Sequence, residues 1–397
     1  MTTTNNNEHK KLNVPNIRFP EFSGEWEEST IGEEFDLYSG NTPSRLNKEH
    51  FNGAINWISS GELKEHYIAD TKEKISDEAA KNLKMLPIGT FVIAIYGLEA
   101  DGVRGTGSIT KSESTISQAC MAFTTKGKVQ NEFLYSWYKK HGNIIGIRYA
   151  QGTKQQNLSY DIIEKFKIAY PAFQEQEKLN KFIALLDERI AIQSKIIEEL
   201  KKLKCAIIEK LYSKIQGKEY SFGQLFEVVN ERNKQMKYSN ILSASQEKGM
   251  VNRDDINLDI QFERSNINTY KIVRAGDYVI HLRSFQGGFA FSDKLGVCSP
   301  AYTILRPKEV LEYGYLSYFF MSRQFIKSLI LVTYGIRDGR SINVEEWLRM
   351  KTKLPSKKEQ RKILNVLCCF DEKIQNEENM LNKLSKQKQY LLRQMFI

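Results

Sequence analysis

Two long stretches of the chain place apolar residues at alternating spacings of three and four positions. One stretch follows Pro171 and the other follows Pro355. This spacing puts the apolar side chains on one stripe of a helix and is typical of a coiled-coil seam. The predicted seam residues are Leu186, Ile190, Ile197, Leu200 and Ile207, then Phe370, Ile374, Leu381, Leu384 and Leu391. We expect an antiparallel two-helix spacer; the alternative is one helix of a bundle inside a large domain.

Polar residues interrupt both seams at equivalent positions. They are Gln193 and Lys204 in the first helix, and Glu377 and Lys388 in the second. Because polar seam residues fix register and partner choice, we expect Lys204 or Lys388 to meet Glu377 of the other helix. The apolar stripe of the first helix also includes Leu203 in this interpretation.

The two helices belong to an internal repeat. Residues 171–212 align with residues 355–396 at a constant offset of 184 positions and without gaps. Upstream the match is weaker, but Gly89 and Gly276 each precede a similar apolar run. The chain is therefore interpreted as two copies of one unit. The predicted divisions are an N-terminal arm (1–24), a first globular unit (25–170), a central helix (171–217), a second globular unit (218–355) and a C-terminal helix (356–397).

The globular units combine strands and helices. Runs rich in β-branched and aromatic residues predict strands at 91–96, 119–123, 278–282 and 301–305. Helical patterns follow at 132–141 and 315–331. The predicted fold class is α+β, with two tandem globular units separated by long helices.

Composition narrows the class of protein. A chain of 397 residues with 41% hydrophobic and 27% charged residues fits a globular protein of two or three domains. Its five cysteines form no CxxC pair, so neither a zinc cluster nor a disulfide framework is expected, and a reducing cytoplasm is the default. The net charge of +10 favours nucleic acid only weakly, because residues 1–170 carry 20 basic and 21 acidic side chains.

Loops with Gly, Lys and Arg occur at equivalent places in both units. They run from 97 to 108 and from 151 to 157 in the first unit, and from 283 to 288 and 334 to 341 in the second. Arg, Gln and Asn present paired hydrogen-bonding groups that fit base edges, whereas Lys suits phosphates. The alternative for any one of these residues is a solvated turn. The candidate DNA contacts are Thr42, Ser44, Arg45, Ser60, Arg104, Thr106, Lys154, Gln155, Gln156, Asn157, Ser245, Lys248, Arg283, Gln286, Arg337, Arg340 and Ser341.

No sequence motif supports a catalytic site. The chain has no HExxH, no GxSxG and no P-loop, and it lacks the Asn-Pro-Pro-aromatic element that amino-methyltransferases use. We therefore expect no catalytic residues, no bound metal and no cofactor.

Four segments resemble the specificity subunit of a Type I restriction–modification system. They are the entry 14–26, the segment 39–58 with Trp57, the junction 152–176, and the closing helix 383–396. The second unit departs from this pattern, since 240–245 replaces the Trp57 segment. Contacts of the first unit therefore cannot be copied onto the second.

The resemblance implies a DNA reader without catalytic activity. Each globular unit would be a target recognition domain for one half of a bipartite, asymmetric DNA site, and the helices would set the spacer. Two modification subunits carrying S-adenosylmethionine would dock on the chain, and restriction subunits would supply ATP- and Mg²⁺-dependent translocation and cleavage. The alternative is a fused restriction or methyltransferase enzyme, with a structural coiled-coil adaptor as a third possibility.

Overall fold

The computed structural model describes residues 13–100, 102–152, 156–245, 248–255, 264–281, 288–334 and 341–397. The chain divides into two compact units. Unit 1 comprises Met1–Ser194 with Asn379–Ile397, and unit 2 comprises Lys195–Glu378. The long helices α5 (Phe173–Ser213) and α10 (Lys357–Met395) each contribute one half to each unit. The domain boundaries predicted from the sequence instead keep each long helix whole as a separate division, and they stay a prediction.

Unit 1 is built on a five-stranded sheet in the order β2-β9-β6-β7-β4, antiparallel except between β4 and β7. A small lobe holds the sheet β5-β3-β8 around its own core of Trp57, Ile75 and Ala79. The strands are β1 (Glu27–Thr30), β2 (Phe35–Ser39), β3 (Ile55–Ile58), β4 (Tyr67–Ile68), β5 (Lys74–Ile75), β6 (Phe91–Ala94), β7 (Gly107–Thr110), β8 (Ser114–Ile116), β9 (Cys120–Thr125) and β10 (Lys167–Tyr170). The shorter helices are α1 (Ile31–Glu34), α2 (Asp77–Ala80), α3 (Asn131–Tyr149) and α4 (Tyr160–Ile163).

Unit 2 contains a four-stranded antiparallel sheet in the order β12-β19-β16-β17. Its core includes Phe222 stacked on Trp347, with ring centroids 4.5 Å apart. The strands are β11 (Lys218–Ser221), β12 (Phe226–Val229), β13 (Leu242–Ser245), β14 (Gly249–Asn252), β15 (Lys271–Val273), β16 (Tyr278–Ile280), β17 (Phe289–Phe291), β18 (Gly296–Cys298), β19 (Thr303–Pro307), β20 (Thr333–Tyr334), β21 (Ser341–Ile342) and β22 (Lys351–Leu354). The shorter helices are α6 (Phe222–Leu225), α7 (Tyr315–Phe319), α8 (Arg323–Ser328) and α9 (Val344–Arg349).

The repeat is visible in local structure. Strand β1 pairs with β10 and leads into α1, whose capping box starts at Thr30; β11 pairs with β22 and leads into α6, capped in the same way by Ser221. A fully buried glutamine near the start of each long helix, Gln176 or Gln360, also hydrogen-bonds the backbone of its own unit. The predicted α+β class with two repeated units is therefore confirmed.

The predicted seam residues of α5 and α10 are all buried or half-buried. In unit 2 the helices run antiparallel, because Lys204 pairs with Asp371 while Lys201 pairs with Glu378. The assignment of Leu203 to the seam is wrong: its side chain is 49% exposed, whereas Ile208 is 3% exposed. A straight helix has 3.6 residues per turn and drifts away from a 3.5-residue repeat, so the buried face moves over successive turns.

Three other sequence predictions need correction. The helix expected at 315–331 is broken between α7 and α8, where the Ser322 side chain caps the second helix by accepting from Phe325 N at 3.2 Å. Helix α3 extends beyond the predicted 132–141. The glycine-rich loop ends at Thr106, because Gly107 and Ser108 lie in β7. Gly107 allows close strand pairing, since a Cβ there would lie 3.0 Å from Val92 O.

Candidate nucleic-acid interface

Arg45 lies in the loop after β2, on the small lobe of unit 1. Its guanidinium donates two hydrogen bonds of 2.8 Å to Glu73 and sits 4.5 Å from the ring centroid of Phe51 and 5.6 Å from that of Trp57. The hydrogen bonds raise the pKa of Arg45 and lower that of Glu73. Both side chains remain substantially exposed, at 57% and 44%. An exposed ion pair contributes little stability, so an incoming base or phosphate can replace Glu73 at small cost.

The same loop holds two more predicted residues. Thr42 Oγ1 accepts from Gln118 N at 3.4 Å, and Ser44 is exposed. Ser60 belongs to a different segment, the 3-10 helix Ser60–Glu62 that follows β3. Thr42 and Ser44 are thus sequence neighbours of Arg45 in one loop, whereas Ser60 follows the end of β3 in the same lobe.

The two predicted loops of unit 1 meet through Arg104 and Gln156. Arg104 Nη2 donates to Gln156 Oε1 at 3.0 Å, and the backbone N–H of Gln156 donates to Glu99 Oε2 at 2.8 Å. That second hydrogen bond lowers the pKa of Glu99. Arg104 lies against α3, where a Cβ on Gly146 would come 2.4 Å from its Cγ. The pair therefore forms one ordered donor–acceptor surface from two distant loops.

The neighbouring residues of this surface are held by backbone contacts. Asn157 exchanges two backbone hydrogen bonds with Gln151, of 2.8 and 2.9 Å. Thr106 Oγ1 donates to Val103 O at 2.7 Å, which closes the turn after Arg104. Lys154 and Gln155 lie outside the described residues, and their predicted role stays a prediction.

In unit 2 two of the described candidates, Ser245 and Lys248, lie at the turn between β13 and β14. Lys248 N donates to Ser245 Oγ at 3.4 Å, and the Lys248 side chain is exposed. Gly249 has φ of +69°, and a Cβ there would lie 2.3 Å from Phe291 O, so this turn requires glycine. Ser341 of β21 pairs with Tyr334 of β20. Arg283, Gln286, Arg337 and Arg340 lie outside the described residues.

Each unit ties its globular part to both long helices through one aspartate. In unit 1, Asp187 of α5 pairs with Lys388 of α10 and accepts from Tyr135 Oη of α3 at 3.4 Å. In unit 2, Asp371 of α10 pairs with Lys204 of α5 and accepts from Tyr318 Oη of α7 at 2.5 Å. The expectation that Lys204 or Lys388 meets Glu377 is therefore wrong, because Lys204 pairs with Asp371 and Lys388 pairs with Asp187.

The unit 1 junction has an additional histidine. The His66 ring is stacked between Tyr67 and Tyr135, with centroid distances of 4.1 and 4.0 Å, and its Nδ1 lies 3.1 Å from Asp187. Burial alone would raise the pKa of Asp187, but His66 and Lys388 outweigh it, and the net shift is downward. Burial, together with the Lys388 ammonium, lowers the pKa of Lys139 to about 8. This junction is therefore a compact group of charges between α3, α5 and α10.

Sequence reasoning missed the residues that hold these sites. Glu73, Phe51 and His66 carry no motif, and their partners are distant in the chain. The repeat did contain a usable signal, because Asp187 with Asp371 and Lys204 with Lys388 are identical pairs at the offset of 184. A search for identical polar residues between the two copies would have selected them.

Comparison with known proteins gives a consistent result over most of the chain. The family model for the Type I restriction modification DNA specificity domain matches twice, at residues 23–202 and 216–386. The Type I restriction enzyme MjaVIII specificity subunit of Methanocaldococcus jannaschii is 23% identical over 95% of this chain and 92% of its own. The MjaIX specificity subunit of the same organism is 26% identical over 45% of this chain and 42% of its own.

Two solved structures share the fold. The S subunit of a Type I restriction-modification system from M. genitalium has a TM-score of 0.57 at 15% identity, covering 97% of this chain and 99% of that one. A structure concerning complex assembly and conformational transition of the type I R-M system has a TM-score of 0.58 at 14% identity, covering 92% and 96%. Among the described residues, no helix combines the length and apolarity of a membrane span. Since the family model matches most of the sequence in two copies, the chain belongs to the Type I restriction-modification specificity subunits.

Proposed function

We propose that this chain reads a split, asymmetric DNA sequence, with one half-site read by each unit. The observation that carries the proposal is the double family match, because each matched stretch contains one globular unit and part of one long helix. The two units differ where they carry candidate contacts. Unit 1 has the Trp57 lobe, whereas unit 2 has the β13–β14 hairpin. Different loops imply different half-sites.

In unit 1 the proposed readers are Arg45 and the Arg104–Gln156 pair. Arg forms bidentate hydrogen bonds with guanine O6 and N7, and Gln forms them with adenine N6 and N7. The contact of Arg45 with the Phe51 ring and the two hydrogen bonds to Glu73 restrain the guanidinium, which lowers the entropy lost when it binds a base. Exposed Lys248 in unit 2 suits a phosphate, which positions the chain without reading sequence.

The helices act as the spacer between the two readers in this proposal. Helix α5 has 41 residues and α10 has 39, and at 1.5 Å per residue each is a rod of about 60 Å. The partly buried pairs Asp187–Lys388 and Lys204–Asp371 have one well-defined geometry each, and such pairs can specify helix register.

Partner subunits would carry out the chemistry. Two modification subunits would bind S-adenosylmethionine and methylate adenine N6, and restriction subunits would use ATP and Mg²⁺. The repeat supplies two similar surfaces, which suits two identical partners. The second candidate, a fused restriction or methyltransferase enzyme, would need a catalytic motif that the sequence lacks.

Methylome sequencing tests this function. A host that expresses the cognate modification subunit is compared with and without this chain. The expected result is methylated adenine in one bipartite motif with a fixed spacer, only when the chain is present. A continuous motif, or the same methylation without the chain, would refute the proposal.

A further inference from the structure

Helix α3 of unit 1 contains two buried glycines, Gly142 and Gly146. Because residues four positions apart lie on the same side of a helix, both glycines belong to one face. Glycine inside a helix is less favourable than alanine, since it loses more conformational freedom on folding. Two buried glycines on one face therefore indicate a neighbour that needs the space of a missing side chain.

The neighbour is the loop that carries Arg104. A Cβ on Gly146 would lie 2.4 Å from Cγ and 2.8 Å from Cδ of Arg104, so the stem of the arginine fills the place of a side chain. The next residue approaches the helix one turn earlier. A Cβ on Gly142 would lie 3.0 Å from Gly105 Cα, and a Cβ on Gly105 would lie 2.9 Å from Asn143 N. The main chains of the loop and the helix are therefore in direct contact.

The close approach also depends on the conformation of the loop. Gly105 has φ of +72°, in the left-handed region that favours glycine. The hydrogen bond from Thr106 Oγ1 to Val103 O closes the turn around it. The direction in which Arg104 leaves the loop is thus set by the turn and by the face of α3.

Arg104 is held at both ends of its side chain. Its aliphatic carbons pack on Gly146, and Nη2 donates to Gln156 Oε1 at 3.0 Å. Glu99 in turn accepts from the main-chain N–H of Gln156 at 2.8 Å. Arg104 Nε is buried and has no hydrogen-bond partner within the part of the chain that the structure describes. Packing on α3, rather than a polar contact at Nε, therefore places the stem.

A methyl group on Gly146 would act on the stem near its base. Displacement of Cγ moves the guanidinium at the end of the side chain by a larger amount. Recognition of a base by paired hydrogen bonds requires both the position and the plane of the donor group. A small shift of the stem therefore changes what Arg104 can recognise without removing any polar group from the surface.

We propose that Gly146 is a positioning residue for base recognition. It holds Arg104 in the orientation in which the Arg104–Gln156 pair meets its bases, although it contacts no base itself. The inference rests on the proposed function and adds to it a residue on the helix behind the reading surface. Unit 2 has the shorter helices α7 and α8 in the corresponding part of the repeat, so the effect belongs to one half-site.

Methylation by the assembled complex of the full chain and its modification subunit tests this role. Initial rates are measured on the wild-type motif and on DNA with one base changed at each position. We expect Gly146→Ala to lower discrimination about tenfold at the base position that Arg104→Ala relaxes, while the other half-site stays unchanged. In the double variant, Gly146→Ala adds no further loss, because the stem that it displaces is already absent. Ile147→Ala is the control on the 61% exposed neighbouring residue and keeps wild-type specificity.

Wild-type specificity in Gly146→Ala would overturn the proposal. So would an equal loss at all sequences, a loss at another base position, or a full additional loss in the double variant. Gly105→Ala crowds Asn143 N and should relax the same base position, so it keeps the test decisive if the Gly146→Ala complex does not assemble. If Arg104→Ala leaves the motif unchanged, this inference fails while a bipartite motif still supports the proposed function. A wild-type motif that is not bipartite would refute both.

Discussion

The ammonium group of Lys388 contacts the carboxylate of Asp187, and the two side chains are each only 14% exposed. The pair joins α10 to α5 within unit 1, and Lys204 with Asp371 repeats it within unit 2. A pair this far removed from water requires both partners, because a lone charge left there is poorly solvated.

We therefore predict that Asp187→Asn lowers the free energy of unfolding by about 2–4 kcal/mol, since Lys388 is left with a weaker partner. Glu378→Gln is the matched control, because it removes an exposed partner of Lys201 and should cost less than about 1 kcal/mol. Chemical denaturation of both variants provides the measurement. Equal losses would show that the buried pair has no special role.

The lowered pKa of Asp187 sets the pH range of this effect. Its ionised form stabilises the fold, so the contribution is complete above the ordinary value of 3.8 and disappears as pH falls through the lowered folded value. We predict a constant stability difference between wild type and Asp187→Asn from pH 7 to about pH 5, which narrows below about pH 4. A difference that stays constant in acid would contradict the assigned charge state.

Arg45 gives a prediction about specificity. Arg45→Ala should relax one half-site only, at a cost of about 1–3 kcal/mol in discrimination, because a bidentate base contact is lost. Lys128→Ala is the control, since it removes an exposed positive charge that pairs with Glu27 in the same unit. Methylome motifs of the reconstituted complex report both effects. An equal loss of methylation at all sequences would instead indicate that Arg45 contacts a phosphate.

Glu73 gives the complementary prediction. Glu73→Gln removes the charge that competes with DNA for Arg45, and we expect tighter DNA binding by the assembled complex in low salt. A salt titration of binding measures this. If Glu73→Gln leaves DNA binding unchanged and Arg45→Ala leaves the methylated motif unchanged, the small lobe does not belong to the DNA interface.

The role of the two long helices as a spacer can be tested by changing their length. Insertion of one seam heptad after Leu200, matched by another after Ile374, adds about 10 Å to the rod while keeping the apolar face. We expect a spacer longer by about three base pairs, with both half-sites unchanged, since each base pair rises about 3.4 Å. An unchanged spacer would contradict the ruler model.

Much of the fold could be predicted because the helices are periodic. The sequence also contains the repeat, in which Asp187 and Asp371 occupy equivalent positions. It could not place Lys204 opposite Asp371, because the period of each helix leaves the offset between two antiparallel helices undetermined. Leu203 was misplaced for a related reason, since the drift of the buried face depends on actual packing.

The site was harder to predict than the fold. Arg45 and Arg104 stood out as residue types, but their contacts with Glu73 and Gln156 join loops 28 and 52 residues apart. Such contacts arise from sheet order, and no local pattern in the chain encodes them. His66 is similar, because its stacking on Tyr135 needs β4 to lie beside α3.

Exchange of one recognition unit tests the central claim most directly. Residues 218–355 are replaced by the corresponding residues of another family member, and the methylome of the reconstituted complex is sequenced. We predict that one half of the motif changes to that of the donor, while the other half and the spacer length stay the same. A change in both halves, or in neither, would contradict the account of two independent readers on one helical spacer.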